Sequence, residues 1–188
     1  VGVADLADQL YERLLVLRSQ LGDEAALTEL VAHYAPKLRY LVGRMLARPA
    51  GVDDLVQDIW LDIVRALPKL TAAEAFKTWM YRIARDRVYG QLRKERRLPQ
   101  PLEDGQEVIA APDGAAFDEE DVAAVHAALA GLPCEQREAL VLRFVEGMSY
   151  EEIAAATSTP VGTVRSRLYY GKQALRKRIA LEQDHAEE

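Results

Sequence analysis

The stretch from Ser149 to Arg178, SYEEIAAATSTPVGTVRSRLYYGKQALRKR, constrains the fold more tightly than any other part of the chain. Ser149 followed three residues later by Glu152 is a capping-box pattern, in which a hydroxyl and a carboxylate each satisfy a backbone N–H at a helix start. An alanine-rich apolar turn follows and is broken at Thr157, Ser158 and Thr159. Thr159 can cap a second helix whose first position is Pro160, where a missing N–H costs nothing. A short helix, a tight turn and a long basic helix make the layout of a helix-turn-helix. At about 100° per residue, Val161, Val164, Leu168, Gly171, Leu175 and Ile179 share one face of the second helix. The opposite face carries Gly162, Thr163, Ser166, Tyr170 and Gln173, flanked by Arg165 and Arg167. One side suits a protein core and the other suits DNA.

The net charge of −6 conceals strong segregation. Residues 76–98 hold eight basic and two acidic side chains, residues 99–121 hold eight acidic and no basic ones, and residues 160–180 hold six basic and no acidic ones. Two basic blocks separated by an acidic one suggest two nucleic-acid-facing surfaces, with a solvated charged face as the plainer alternative for either. Hydrophobic content of 49% over 188 residues argues for folded protein, one medium domain or two small ones. Apolar runs are too short for a membrane span, and the first residues lack the order of a signal peptide. A single cysteine, Cys134, excludes an internal disulfide and agrees with a reducing, cytoplasmic location.

Upstream, Leu6, Leu10, Leu14, Leu17 and Leu21 recur at helical spacing and predict an amphipathic helix over 5–21. Gly22 ends it and Asp23 caps the next, which runs from Ala25 to about Ala35, with Pro36 at a bend. Leu38, Leu41, Val42, Met45 and Leu46 continue a helical stripe until Pro49 and Gly51. Asp53 starts DDLVQDIWLDIVRAL, in which Leu55, Ile59 and Ile63 form a stripe widened by Val56, Trp60 and Leu67. Asp54, Asp58 and Asp62 stack at i, i+4 and i+8, a spacing at which like charges oppose a helix by roughly 0.2–0.5 kcal/mol per pair. Arg65 offsets only the last, so the row makes sense if a basic partner docks there; an acidic bias at the helix N-terminus explains Asp53 and Asp54 but not Asp62.

After Pro68 and a short loop, a helix over Phe76–Arg97 carries two faces. Phe76, Trp79, Met80 and Ile83 cluster on one side, with Trp79 read as core. Thr78, Arg82, Arg85, Tyr89 and Arg93 line the other. Arginines hold phosphates and a ring can stack on an unpaired base, so this stripe suits a single strand; a solubilising face is the alternative. Leu98 to Phe117 contains three prolines, two glycines and no basic residue and reads as a linker. Beyond it, Val122, Val125, Leu129 and Leu132 mark one helix. Cys134 to Glu146 mark another, with Leu140, Val141, Phe144 and Val145 inward. No strand pattern appears, so the fold class is all-α: two small helical domains joined by an acidic linker, at 1–98, 99–117 and 118–188, the second with the helix-turn-helix.

No catalytic constellation is visible. His33, His126 and His185 are far apart and in no metal-ligand spacing with Cys134, and phosphate-loop and nucleophile-turn motifs are missing. Cys134 stands at a helix start, where a thiol pKa can fall, yet a lone cysteine is far more often a packing residue. The sequence therefore predicts a binding protein, with no enzyme activity, no metal and no cofactor.

Taken together, DDLVQDIWLDIVRAL, FKTWMYRIAR and LPCEQREALVLRFVEGMSYEEIAAATSTPVGTVRSRLYYGKQALRKRI resemble bacterial sigma factors of the extracytoplasmic-function group, over about residues 22–182. The resemblance implies a transcription initiation factor that binds the clamp and flap of core RNA polymerase, recognises promoter DNA and promotes strand opening. It places the polymerase contact on Asp53, Asp54, Gln57 and Asp58. It places the minus-ten strand on Lys69, Thr78, Arg82, Arg85, Tyr89 and Arg93. It places the minus-thirty-five element on Thr163, Arg165, Ser166, Arg167, Tyr169, Tyr170 and Lys172. An anti-sigma protein is a further implied partner, without membrane insertion. The chain departs from the family's common pattern at Asp86, Gly90, Tyr170 and Gly171. An ordinary helix-turn-helix regulator that binds DNA alone, or a helical adaptor that holds polymerase without reading DNA, are the competing readings of the same residues.

Overall fold

A computed structural model describes residues 3–46, 51–95 and 119–186, with side chains described for 6–46, 51–95 and 125–179. Eight α-helices are present among these residues: α1 (Val3–Gln20), α2 (Glu24–Met45), α3 (Val52–Ala66), α4 (Phe76–Glu95), α5 (Glu119–Ala130), α6 (Cys134–Phe144), α7 (Tyr150–Thr157) and α8 (Val161–Ala186). Two short 3₁₀ turns, Leu67–Lys69 and Ala73–Ala75, occupy the loop before α4. There is no strand among the described residues, so the all-α expectation stands. Pro49, Arg97 and the linker expected at 99–117 lie outside the described residues.

Local signals set most boundaries. Gly22 turns with a φ of 89°, a conformation that favours glycine, and the Asp23 carboxylate accepts from the Ala26 N–H to cap α2. The helix does not end near Ala35; α2 runs on through Pro36, its Leu38, Leu41, Val42 and Met45 all buried. Core contacts on both sides of Pro36 outweigh the lost backbone bond. Gly51, with a φ of 87°, caps α3, which starts at Val52, one residue earlier than Asp53. The Ser149–Glu152 capping box forms in full: Glu152 N–H donates to Ser149 Oγ at 3.1 Å and Ser149 N–H to Glu152 Oε2 at 2.6 Å. Thr159 behaves differently from expectation. Its hydroxyl meets that of Thr157 at 2.8 Å, while the Pro160 carbonyl accepts from the Thr163 and Val164 N–H groups.

Helices α1 to α4 gather around Leu30, Tyr34, Leu38, Leu41, Ile59, Ile63, Phe76 and Met80, and α6 to α8 around Leu140, Leu142, Met148, Ile153, Val164 and Leu168. The two groups also pack on each other, α4 on α7 and α2 on α6. Three apolar expectations are corrected. The α1 leucines point outward, Leu6 to Leu17 about half exposed and Leu21 88% exposed, because Leu15 and Val16 are the residues that meet α2 and the loop beside it. Phe144 and Val145 are also exposed, since α6 turns Leu140, Val141 and Leu142 inward and hands the next core position to Met148. Val125 is more than a third exposed, and Ala128, Leu129 and Leu132 carry the inner side of its helix.

Two substitutions test this reading by chemical denaturation. Ser149→Ala removes one half of the capping box and is expected to destabilise the fold by about 1 kcal/mol. Gly90 lies inside α4, where an added Cβ would meet only the tip of Arg93 at 3.9 Å. Gly90→Ala is therefore expected to stabilise by about 1 kcal/mol through helix propensity.

Candidate nucleic-acid interface

The helix-turn-helix is built as its local sequence directs. Ser158, with a φ of 52°, ends α7 in a left-handed conformation, and the Thr159 N–H returns to the Ala154 carbonyl at 3.0 Å to close the turn. Val164 and Leu168 are fully buried, and Gly171 brings the α8 backbone against Leu140, where an added Cβ would stand 3.2 Å from Leu140 Cδ1. Those anchors turn Arg165, Ser166, Tyr169, Tyr170 and Lys172 to solvent, with Thr163 and Arg167 half-buried beside them. Tyr169 and Tyr170 meet edge to face, their ring centroids 5.3 Å apart. The result is a rigid helix presenting cations, hydroxyls and two rings on one exposed side, a composition suited to base edges and phosphates.

On α3, Asp54, Gln57 and Asp58 are exposed and share one face, as the periodicity predicts. Asp53 is also exposed but is tied to Arg39 of α2 through a 2.6 Å contact that lowers its pKa. The third member of the acidic row has another role. Asp62 pairs with Arg87 of α4, and that hydrogen bond holds its carboxyl below the usual range. It joins two helices of the first group, so the outward row is Asp54 and Asp58 alone.

The α4 stripe is divided. Thr78 is half-buried, and Lys69 and Arg93 are exposed. Its centre contacts the second group of helices, with Arg85 and Tyr89 half-buried and Arg82 still exposed. Arg82 Nη2 donates to the Ala155 carbonyl of α7 at 2.8 Å. Arg85 Nε lies 3.3 Å from Glu138 Oε1 of α6, and the Tyr89 hydroxyl donates to Glu138 Oε2 at 3.1 Å. The Arg85 guanidinium also sits 4.6 Å from the Tyr89 ring centre. Around this centre, Lys77 Nζ donates to the Glu146 carbonyl at 2.6 Å, Arg137 Nη1 to the Arg44 carbonyl, and Tyr40 Oη faces His126 Nε2 at 3.2 Å.

Glu138 and Arg137 are the residues that sequence reasoning missed. Both are charged residues in a helix whose apolar pattern looks complete without them, and both are buried. Burial pushes the Glu138 carboxyl up to about 7, against the pull of Arg85, Tyr89 and the more distant Arg167. Burial likewise raises Tyr89, and it lowers His126 with help from Arg44. Cys134 is partly buried and its thiol is raised by burial, which fits packing and opposes activation at the helix start.

These shifts give the contact between the two groups a pH dependence. A carboxyl raised to about 7 stabilises the contact when protonated, and the contribution is lost as pH rises through that value. His126 acts in the opposite sense: its contribution is present above its ordinary 6.5 and lost as pH falls below it. Cys134 and Tyr89 titrate higher. The contact is therefore expected to loosen from about pH 6.5 to 8, read as a rise in the radius of gyration by X-ray scattering, and Glu138→Gln should flatten that rise.

No group of histidine, cysteine and carboxylate side chains suited to a metal occurs among the described residues. No described helix is long and apolar enough to cross a membrane. Residues 30–98 match the family described as Sigma-70 region 2, and residues 123–175 the family described as Sigma-70, region 4. The chain is 35% identical over 187 residues to the ECF RNA polymerase sigma-E factor of Escherichia coli K12, covering 93% of this chain and 97% of that one. It is 34% identical over 183 residues to the RNA polymerase sigma-H factor of Pseudomonas aeruginosa, covering 91% and 95%. Two solved structures share the fold with a TM-score of 0.68 and 24% identity. One is CnrH with the cytosolic domain of CnrY, covering 93% of this chain and 99% of that one; the other is RpoE with the anti-sigma factor NepR from Bartonella quintana, covering 82% and 96%.

Proposed function

Because this chain belongs to the extracytoplasmic-function group of sigma-70 factors, and so serves RNA polymerase as a non-enzymatic initiation factor, we propose how its surfaces divide that work. The exposed Asp54, Gln57 and Asp58, with Asp53 beside them, dock on the clamp of core polymerase. The α8 face of Thr163, Arg165, Ser166, Arg167, Tyr169, Tyr170 and Lys172 reads the minus-thirty-five duplex. Lys69, Thr78, Arg82, Arg85, Tyr89 and Arg93 take the minus-ten strand. One unit spans 1–98 and the other 118–188, joined by 99–117, and both act in the cytoplasm. An anti-sigma protein of the kind seen with the structural relatives is a further partner.

The observation that carries this division is the combination of an open acidic face on α3 with an exposed basic face on α8. Arg87, the cation that acts on Asp58, is already paired with Asp62, so the exposed and self-repelling Asp54 and Asp58 gain from a basic docking partner, while α8 alone would serve any helix-turn-helix protein. Two modules tethered to one polymerase raise each other's effective concentration, so neither DNA face needs to bind tightly alone.

Run-off transcription with core polymerase on a promoter library tests this. Arg165→Ala/Ser166→Ala is expected to lower transcript from preferred promoters by roughly 5- to 150-fold, with promoter choice relaxed and core binding kept. Asp54→Lys/Asp58→Lys is expected to abolish co-elution with core polymerase while helicity by circular dichroism stays unchanged. Tight, sequence-specific duplex binding by the free chain would instead favour the independent regulator.

A further inference from the structure

Helix α1 carries an apolar face that the fold leaves uncovered. Leu6, Leu10, Leu14 and Leu17 stay about half exposed, and Leu21 is the most exposed large apolar side chain among the described residues. The helix cannot roll to hide them, because its other side is tied down along its length. The Tyr11 hydroxyl donates to Glu29 at 2.7 Å, and the Tyr34 hydroxyl of α2 donates to Glu12 at 2.6 Å. Arg18 pairs with Asp23, and Gln20 Nε2 donates to the Leu67 and Leu70 carbonyls at 3.0 and 2.7 Å. Leu15 and Val16 fill the side that meets α2. The leucines are thus held outward on a fixed scaffold.

Their spacing suits another helix. Leu10, Leu14, Leu17 and Leu21 follow one another at intervals of four, three and four, the alternation of a coiled-coil seam, with Leu6 one turn before it. That series reads the same in both directions. An inverted copy therefore sets Leu10 across from Leu21 and Leu14 across from Leu17, so one face serves both subunits around a two-fold axis. The flanking charges choose the inverted direction. A parallel pair would bring Arg13 of one copy beside Arg18 of the other, at the positions that set orientation in such seams. The antiparallel pair puts Arg13 beside the uncharged Gln20, and Arg18 beside the ring of Tyr11. It also lays the half of α1 that holds Asp8 and Glu12 along the half that holds Arg13 and Arg18, with the helix dipoles opposed.

We propose that this face is a dimerisation surface whose occupant is α1 of a second copy, packed antiparallel. An exposed apolar patch of several hundred Å² marks an interaction site, and two such faces together bury about 1,000 Å², the low end for a specific interface. The dimer therefore forms in the micromolar range, as a reversible association rather than an obligate one. None of the five leucines belongs to the sets assigned to polymerase, duplex or strand, so pairing engages a face of its own.

Sedimentation velocity on the full chain, from about 1 to 100 μM, tests this. The wild type is expected to pass from monomer to dimer across that range. Leu10→Glu/Leu17→Glu is expected to weaken the association at least about 100-fold, with helicity by circular dichroism and run-off transcription retained. A wild type that stays monomeric, or a variant that dimerises equally well, overturns the proposal. So does a monomeric wild type whose leucine variant no longer co-elutes with core polymerase, an outcome that gives the face to polymerase instead. Should the double variant lose helicity, Leu21→Lys decides, and it should weaken the dimer about 10-fold; an unchanged dimer overturns the surface. Direction is read by oxidising Leu10→Cys and Leu21→Cys chains, separately and mixed, with the wild type and its Cys134 as the blank. A cross-link between unlike chains in the mixture is expected, and a cross-link in Leu10→Cys alone overturns the antiparallel arrangement.

Discussion

Glu138 is the constraint on which the rest of the arrangement depends. A carboxylate with 1% exposure on the buried side of a helix is unfavourable unless something compensates it. Compensation from α4, through the Arg85 guanidinium and the Tyr89 hydroxyl, is partial, since burial still holds the carboxyl up at about 7. Those two side-chain contacts tie α6 to α4, while the helices themselves pack α4 on α7 and α2 on α6, and the Ala155 carbonyl of α7 lies within reach of Arg82. Remove the carboxylate and Arg85 keeps only Asp86 as an acidic partner, while Arg82 keeps its bond to the Ala155 carbonyl. The contact is not polar alone, because the buried apolar residues of the two groups form one continuous cluster around these polar pairs.

The same logic separates surfaces that are free from those that are committed. Asp62 and Arg87 spend their charges on each other and tie α3 to α4, which stiffens the acidic face without adding to it. Asp54 and Asp58 keep theirs outward. On α8, Val164, Leu168 and Gly171 are drawn into the core, and the close approach of Gly171 to Leu140 sets the helix at a depth that leaves both tyrosines on the outside. A sigma factor needs such division, because polymerase, duplex and strand have to be met by different faces of one small chain.

Much of this was legible in the residues. The caps at Asp23 and Ser149, the turns at Gly22 and Gly51, the buried stripe Leu55–Ile59–Ile63 and the inner face of α8 all follow from patterns a few residues long. The leucines of α1 show where such patterns stop. Their spacing predicts a helix, and the helix forms, but spacing alone could not say that Leu15 and Val16 would be the side that meets α2. Phe144 and Val145 failed for the same reason at the end of α6.

The sequence by itself determined the helices, their caps and the two basic faces, because hydrogen bonding within a helix and periodic burial are set by neighbours in the chain. Only the tertiary structure decided which faces meet. Tyr89 and Glu138 are 49 positions apart, and Arg82 and Ala155 are 73. Each stripe looks solvated when its helix is considered alone. Whether a cation ends beside water, a strand or a buried carboxylate depends on how two helical groups dock, and that balance of desolvation against pairing has no local signature.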